Sequence, residues 1–267
     1  MKKYITLILT SAFFCWTSPV QAAAELPNTD ENFYEWVDEV AGSSGCSDYI
    51  PVFRKIFSLC KVKSFLQFGV GYSTKYFLDS CRKVISVELV SHGYGPDWMI
   101  KCMNLYQDYS NWIPYLYFTG YKGDTDWATY KYLASDHVYR ACSYHNATRK
   151  NYAVIDDFYL VELSAFIKSM VKYNKVHVAF VDCAFYIRGD LVQIMFDKSP
   201  IIVAHETQTR FLGITVEAHG FSRIVCPENY EEIYIPRGLG TTVWVIKNAE
   251  YENLIQELKS YAAKLTK

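Results

Sequence analysis

FLQFGVGYSTKYFLDSCRKVISVE, residues 65–88, reads as strand, glycine turn, helix, strand and a closing acid. Phe65, Leu66 and Phe68 form the short apolar run that a strand buried on both faces requires, and Gly69 ends it. Gly71 follows two positions on, so the chain turns tightly and a ligand approaches its backbone without meeting a Cβ. Ser73 and Thr74 stand where a helix N-cap is expected, with apolar Tyr76, Phe77 and Cys81 behind them. The amides of that helix start are predicted to face the ligand. Residues 84–87 predict the second strand, and Glu88 at its carboxyl end is positioned to accept hydrogen bonds from both hydroxyls of a ribose. The ligand implied by this unit contains adenosine.

A dinucleotide fingerprint needs a small third residue where Thr74 stands, which disfavours a pyrophosphate on this helix start. Gln67, Gly69, Gly71 and Ser73, followed by Glu88, resemble instead the first motif and the ribose-binding acid of the class I S-adenosylmethionine-dependent methyltransferases. That resemblance covers roughly residues 63–247. It implies a doubly wound, Rossmann-like α/β sheet, mostly parallel with an antiparallel last strand and with helices on both faces. It also implies S-adenosylmethionine as cofactor, held by Gln67, Gly69, Gly71, Ser73, Thr74 and Glu88. The departure is Gln67, where the family commonly has an acid. An amide cannot pair with the ammonium of the methionine part as a carboxylate does. Gly123-Asp124 falls where the family often has a Gly-Asp pair near the adenine, which would make Asp124 a further cofactor contact; an Asp at a turn is otherwise a turn former.

The chain of 267 residues opens with Lys2 and Lys3, an apolar run over 4–16 and the small-x-small triplet Val20-Gln21-Ala22. This predicts a bacterial-type signal peptide over residues 1–22 and an exported protein, periplasmic or secreted. The run is too short for a convincing membrane span, and no membrane association is expected after cleavage. The mature chain would carry 25 basic and 28 acidic residues, a net charge of -3, with nothing in their distribution to suggest a nucleic-acid groove. Of 8 cysteines, 7 would remain; the odd number leaves at least one thiol outside any intrachain pair. With no C-x-x-C spacing, no zinc or thioredoxin-type site is expected, and several thiols should fill core space.

Helical periodicity over 30–40 and 48–60 predicts an N-terminal helical lid, residues 23–62, ahead of an α/β domain over 63–267. Helices are expected over 98–109, 156–173 and after Asn248, and strands within 115–119 and over 176–181, 200–204, 221–225 and 241–246. Residues 120–155 have no clear periodicity and read as an insertion. Between Tyr94 and Tyr159 lie 12 of the 23 tyrosines, material either for an aromatic-walled pocket or partner surface, or for paving an irregular excursion.

Asp182 stands at the carboxyl end of the fourth main strand and His205-Glu206 at that of the fifth, where open α/β sheets bind ligands. VDCAFYIRGDL, residues 181–191, resembles a segment of small-molecule O-methyltransferases, with Cys183 in place of a glycine. By that resemblance Asp182 and His205 are the candidate catalytic residues. Asp182, His205 and Glu206 together are a candidate site for a divalent cation such as magnesium, which would lower the pKa of a substrate hydroxyl. Alternatively His205 alone acts as base. In the plainest reading Asp182 caps a helix and His205 is a hydrogen-bonded strand-end histidine.

The activity implied is methyl transfer to a hydroxyl or amine of a small molecule or protein. The export signal separates the chain from the cytoplasm, where the cofactor is made. It is therefore expected to meet its cofactor inside another cell, such as a host cell, or to be an inactive binding protein on the same fold. A nucleotide-dependent oxidoreductase is the third possibility. The sequence leaves the acceptor and the oligomeric state open.

Overall fold

The computed structural model describes residues 48–91, 97–119, 138–140, 157–183, 187–208 and 219–266. The predicted signal peptide, the first lid helix, Asp124 and nearly all of the 120–155 insertion lie outside the described residues.

The order is α1 (Ile50–Leu59), β1 (Ser64–Phe68), α2 (Thr74–Ser80), β2 (Lys83–Ser91), α3 (Asp97–Leu105), β3 (Trp112–Thr119) and β4 (Val138–Arg140). It continues with α4 (Asp157–Asn174), β5 (Val178–Val181), α5 (Arg188–Met195), β6 (Ile201–His205), a 3₁₀ turn (Phe221–Arg223), β7 (Tyr230–Ile235), β8 (Thr241–Ile246) and α6 (Glu252–Leu265). Together the strands form one sheet of eight, in the order β4-β3-β2-β1-β5-β6-β8-β7. Every pair from β4 to β6 is parallel, and β8 runs antiparallel to both β6 and β7. This is the doubly wound, mostly parallel Rossmann-like sheet that the sequence predicts, its antiparallel strand being the last in the chain.

All five residues of β1 are buried, as the central strand of a covered parallel sheet requires. Alternation divides them between two layers. Phe65 joins a cluster beneath α1, α2, α3 and α6 with Phe53, Phe77, Phe180 and Leu258. Leu66 and Phe68 join the opposite cluster beneath α4 and α5 with Ile167, Leu191 and Trp244. The rings of Phe65 and Phe77 stack at 4.2 Å, fixing α2 on the sheet directly after the glycine turn. Cys81, Cys102 and Cys183 are buried in these clusters as small hydrophobes.

Two boundaries differ from the sequence reading in ways that matter. Strand β2 continues past Glu88 to Ser91, Glu88 pairing with Leu116 of β3. Because β1 ends level with Val87, Glu88 is still the first residue beyond the end of β1. Residues 221–225 form no strand. Gly220, at φ 72, turns the chain into the 3₁₀ segment, and the strand pairing with β8 is β7, where Tyr230, Ile233 and Ile235 are buried. Gly189 of α5 donates to the carbonyl of His219, so this stretch is held by a helix and not by a neighbouring strand.

Candidate functional site

The glycine turn leaves β1 at the point where the chain crosses from β2 on one side to β5 on the other, the crevice in which such sheets bind ligands. Gly69, at φ +94, has conformational and spatial need of its hydrogen: a Cβ there would lie 2.1 Å from the Asp182 carbonyl oxygen. At Gly71 an added Cβ meets nothing within 4 Å among the described residues. One glycine therefore closes the turn against β5, and the other has open space beside it among the described residues.

The backbone groups of the turn are engaged from within. Gly69 N–H donates to the Val87 carbonyl at 2.9 Å, Val70 N–H to Glu88 Oε2 at 2.8 Å and Gly71 N–H to Thr74 Oγ1 at 3.1 Å. The amides of Thr74, Lys75 and Tyr76 donate to the carbonyls of Gly71, Tyr72 and Ser73. From α3, Trp98 Nε1 donates to the Val70 carbonyl at 2.5 Å, and beyond that helix the Tyr106 hydroxyl reaches the carbonyls of Gly71 and Tyr72 at 3.0 and 3.1 Å. The expectation that helix-start amides face a ligand is thus corrected for Thr74, Lys75 and Tyr76.

Thr74, not Ser73, closes the turn with its hydroxyl; Ser73 pairs instead with the Tyr49 hydroxyl at 2.7 Å and makes no cap bond. Gln67 is 1% exposed, and its amide nitrogen donates to Thr74 Oγ1 and Ser86 Oγ, both at 2.8 Å. Through its nitrogen Gln67 therefore braces β1 against α2 and β2. Of the cofactor residues predicted from sequence, Gly69, Gly71 and Glu88 meet at the rim, Thr74 supports them, Gln67 braces Thr74 and Ser86, and Ser73 pairs with Tyr49. Burial, more than the nearby Asp182 charge, pushes the Glu88 carboxyl up to about 7, against the pull of the Val70 amide.

The second half of the crevice is a chain of charges. Arg188 Nη1 lies 3.2 Å from Asp182 Oδ1 and 2.9 Å from Glu206 Oε2, while Arg188 Nε donates to the Cys183 carbonyl at 2.6 Å. His205 Nδ1 is 3.5 Å from Asp182, and its Nε2 lies 2.6 Å from Asp48 Oδ1, a charge contact more than a straight hydrogen bond. His219 Nε2 approaches Glu206 at 3.2 Å, and Leu239 N–H donates to Asp48 Oδ2 at 2.7 Å. Glu206 adopts φ 61, a strained position for a side-chain-bearing residue.

Burial alone would lower the His205 pKa, but Asp182 and then Asp48 reverse this and raise it to about 10. Against the burial that would raise it, Arg188 and then His205 hold the Asp182 carboxyl below the usual range; Glu206 is lowered likewise, by Arg188 and His219. Two sequence-based roles are corrected here. Flanked by the Asp182 and Asp48 carboxylates, His205 is held towards its protonated form, which disfavours it as a base. Asp182, His205 and Glu206 do come together, but the Arg188 guanidinium stands between the two carboxylates where a cation would sit. Among the described residues no group of three His, Cys, Asp or Glu side chains is arranged to hold a metal ion. The donor set does not fit a divalent cation.

Sequence reasoning missed Asp48, Arg188 and His219. Arg188 lies inside the quoted segment 181–191, and its signal is an arginine directly after a strand-end aspartate; Asp48 and His219 are joined to the site only by the fold.

No protein-family model matches the chain, and no curated protein matches it. Among solved structures it is similar to an S-adenosylhomocysteine-bound methyltransferase of Podospora anserina, with 12% identity over 91% of this chain and 96% of that one, TM-score 0.45. It is also similar to an O-methyltransferase of Bacillus cereus in complex with S-adenosylhomocysteine, 10% identical over 84% and 94% of the two chains, TM-score 0.45. A third is the O-methyltransferase TomG of Streptomyces achromogenes in complex with S-adenosylmethionine, 6% identical over 90% and 96%, TM-score 0.43. The fold assignment rests on the strand order itself and not on these likenesses.

Proposed function

We propose that this chain binds S-adenosylmethionine in the crevice beyond β1 and β2 and transfers its methyl group to a hydroxyl or amine of a small molecule or protein. The observation that carries this reading is the free space at Gly71 beside the strand-end Glu88 carboxylate. Glu88 retains acceptor capacity beyond its one bond to Val70 and is positioned for a ribose diol. The turn amides of Gly69, Val70 and Gly71 are already engaged, which suits an adenosine ligand without phosphates and disfavours a dinucleotide. When bound, S-adenosylmethionine supplies a methyl carbon on a sulfonium that an acceptor lone pair displaces in line. The protein's part is then to orient the reactants and to let one proton leave. Asp182, kept ionised by Arg188 and His205, is the carboxylate that would orient an acceptor hydroxyl or pair with the charge of an amine acceptor, the proton passing on to solvent. Arg188 makes the site independent of a metal ion. In the same proposal the protein is exported by residues 1–22 and works in the periplasm, outside the cell or inside a host cell that provides the cofactor.

A second reading, an inactive binding protein on a methyltransferase fold, is favoured by Gln67, whose nitrogen is tied to Thr74 and Ser86 and whose neutral amide cannot pair with a methionine ammonium as a carboxylate does. Calorimetric titration of residues 23–267 with S-adenosylmethionine and S-adenosylhomocysteine, with magnesium and with EDTA, separates the two. The enzyme reading expects binding indifferent to magnesium and weakened by roughly 2 to 4 kcal/mol in Glu88→Ala, as charge-assisted ribose bonds are lost. No heat at millimolar ligand from a folded sample would leave the binding protein.

A further inference from the structure

At the opposite end of the strands from the glycine turn, the loops that lead into β1 and β2 line a half-open cavity of about 540 Å³. Its lining is Phe57, Cys60, Lys61, Val62, Lys63, Ser80 and Arg82. Three of these side chains are cationic and none is acidic. Elsewhere on the described surface, Lys75, Arg223, Lys247 and Lys259 each face a carboxylate, respectively Asp79, Asp190 and Glu231 for the last two. Lys61, Lys63 and Arg82 have no ion-pair partner among the described residues.

The cations are pre-placed by the helices that end here. α1 and α2 both end at this cavity, and the negative ends of their dipoles favour positive charge close by. Two helix ends contribute roughly half a negative charge each, so three full positive charges leave the cavity positive overall. Glu250 is near enough to act on Cys60 but forms no part of the wall. Phe57 and Val62, both half-buried, add apolar surface, and the Ser80 hydroxyl adds a neutral donor.

We infer that this cavity is a second binding site, for an organic oxyanion with an apolar body, such as an aryl phosphate or sulfate. In this assignment the Arg82 guanidinium would hold the oxyanion through paired N–H groups, Lys61 and Lys63 would add point charges, and Phe57 would take the apolar part. The size is that of a small-molecule pocket. The inference is independent of the methyl-transfer reading, because the two sites lie beyond opposite ends of β1.

Phenyl phosphate is the probe, titrated by calorimetry and by saturation-transfer NMR into residues 23–267, with inorganic phosphate as comparison. Saturable binding of one equivalent is expected, weakened about fivefold in Arg82→Gln and more than about twentyfold in Lys63→Gln/Arg82→Gln, and tightened in Glu250→Gln. All these side chains are exposed, so the variants should keep the wild-type melting temperature, which is measured alongside. Titration with S-adenosylhomocysteine should not change in any of them. Absence of saturable binding overturns the inference, as does binding that the double variant retains. Inorganic phosphate binding as tightly as its phenyl ester overturns the assignment of an apolar body.

Discussion

Gly69→Ala tests the geometry that places the site. The new Cβ would stand 2.1 Å from the carbonyl oxygen and 2.8 Å from the carbonyl carbon of Asp182, and 3.2 Å from Cys183 Cα. These are backbone atoms, and Asp182 N–H is itself bonded to the Phe68 carbonyl at 2.9 Å, so they cannot step aside without loosening β5 from β1. A left-handed φ costs a side-chain-bearing residue about 1–2 kcal/mol. Forcing a methyl into a filled space costs about 1–3 kcal/mol more. The expected loss is therefore about 2–5 kcal/mol, read by urea denaturation as a lowered midpoint at constant slope. Gly71→Ala is the partner experiment, since its Cβ meets nothing within 4 Å among the described residues. It should cost less than about 0.5 kcal/mol in stability while blocking S-adenosylhomocysteine binding. If Gly69→Ala lost less than about 1 kcal/mol, or if the two variants were equally destabilised, the division of labour between the glycines would be wrong.

Gln67→Glu restores the acid of the resembled motif but buries a carboxylate where an amide donated twice; a loss of about 2–4 kcal/mol at neutral pH is expected, shrinking on acidification, with no gain in cofactor affinity by calorimetry. Arg188→Met removes the cation that Asp182 and Glu206 share, leaving His205 and His219 as their partners, and should cost about 3–5 kcal/mol at pH 8, less at pH 5, by denaturant midpoint; wild-type stability at pH 8 would contradict the central role of the guanidinium. His205 has its folded pKa raised to about 10 from 6.5, so its contribution is fully present below 6.5 and is lost as pH rises towards 10; thermal melts between those limits should show the decline, and His205→Asn should flatten it. Glu88, raised to about 7 from 4.5, favours the folded state while protonated, so stability falls as pH rises from 4.5 through 7; Glu88→Gln should remove that earlier step and leave the later one.

The part of this architecture written in local pattern was legible from the sequence. The apolar run of β1, two glycines, the α2 stripe and Glu88 are contiguous, and the turn, strand and carboxylate stand together in the folded chain. β8 was equally plain because TTVWVI is a buried strand with nothing to interrupt it. The misplaced strand at 221–225 shows the limit of apolar content. Phe221 and Ile224 are buried, but against α5 and not in a ladder, while β7 carries Glu231 and Glu232 and so looks less like a strand than it is. The charge network was hidden for another reason. Whether His205 is a base or a fixed imidazolium depends on Asp48, far away in the chain, and whether two acids hold a metal depends on an arginine lying between them. Residue types disclose candidates; which of them is already neutralised is a property of packing.

The position of β8 has a consequence for how the chain is made. It is the last strand to be synthesised, yet it lies between β6 and β7, not at an edge. Until residues 241–246 are available, β6 presents an open row of amides and carbonyls, and β7 has no neighbour in the sheet. The sheet therefore closes only once residues 241–246 have been made, and a chain cut short before β8 would keep an adhesive edge along the strand that carries His205.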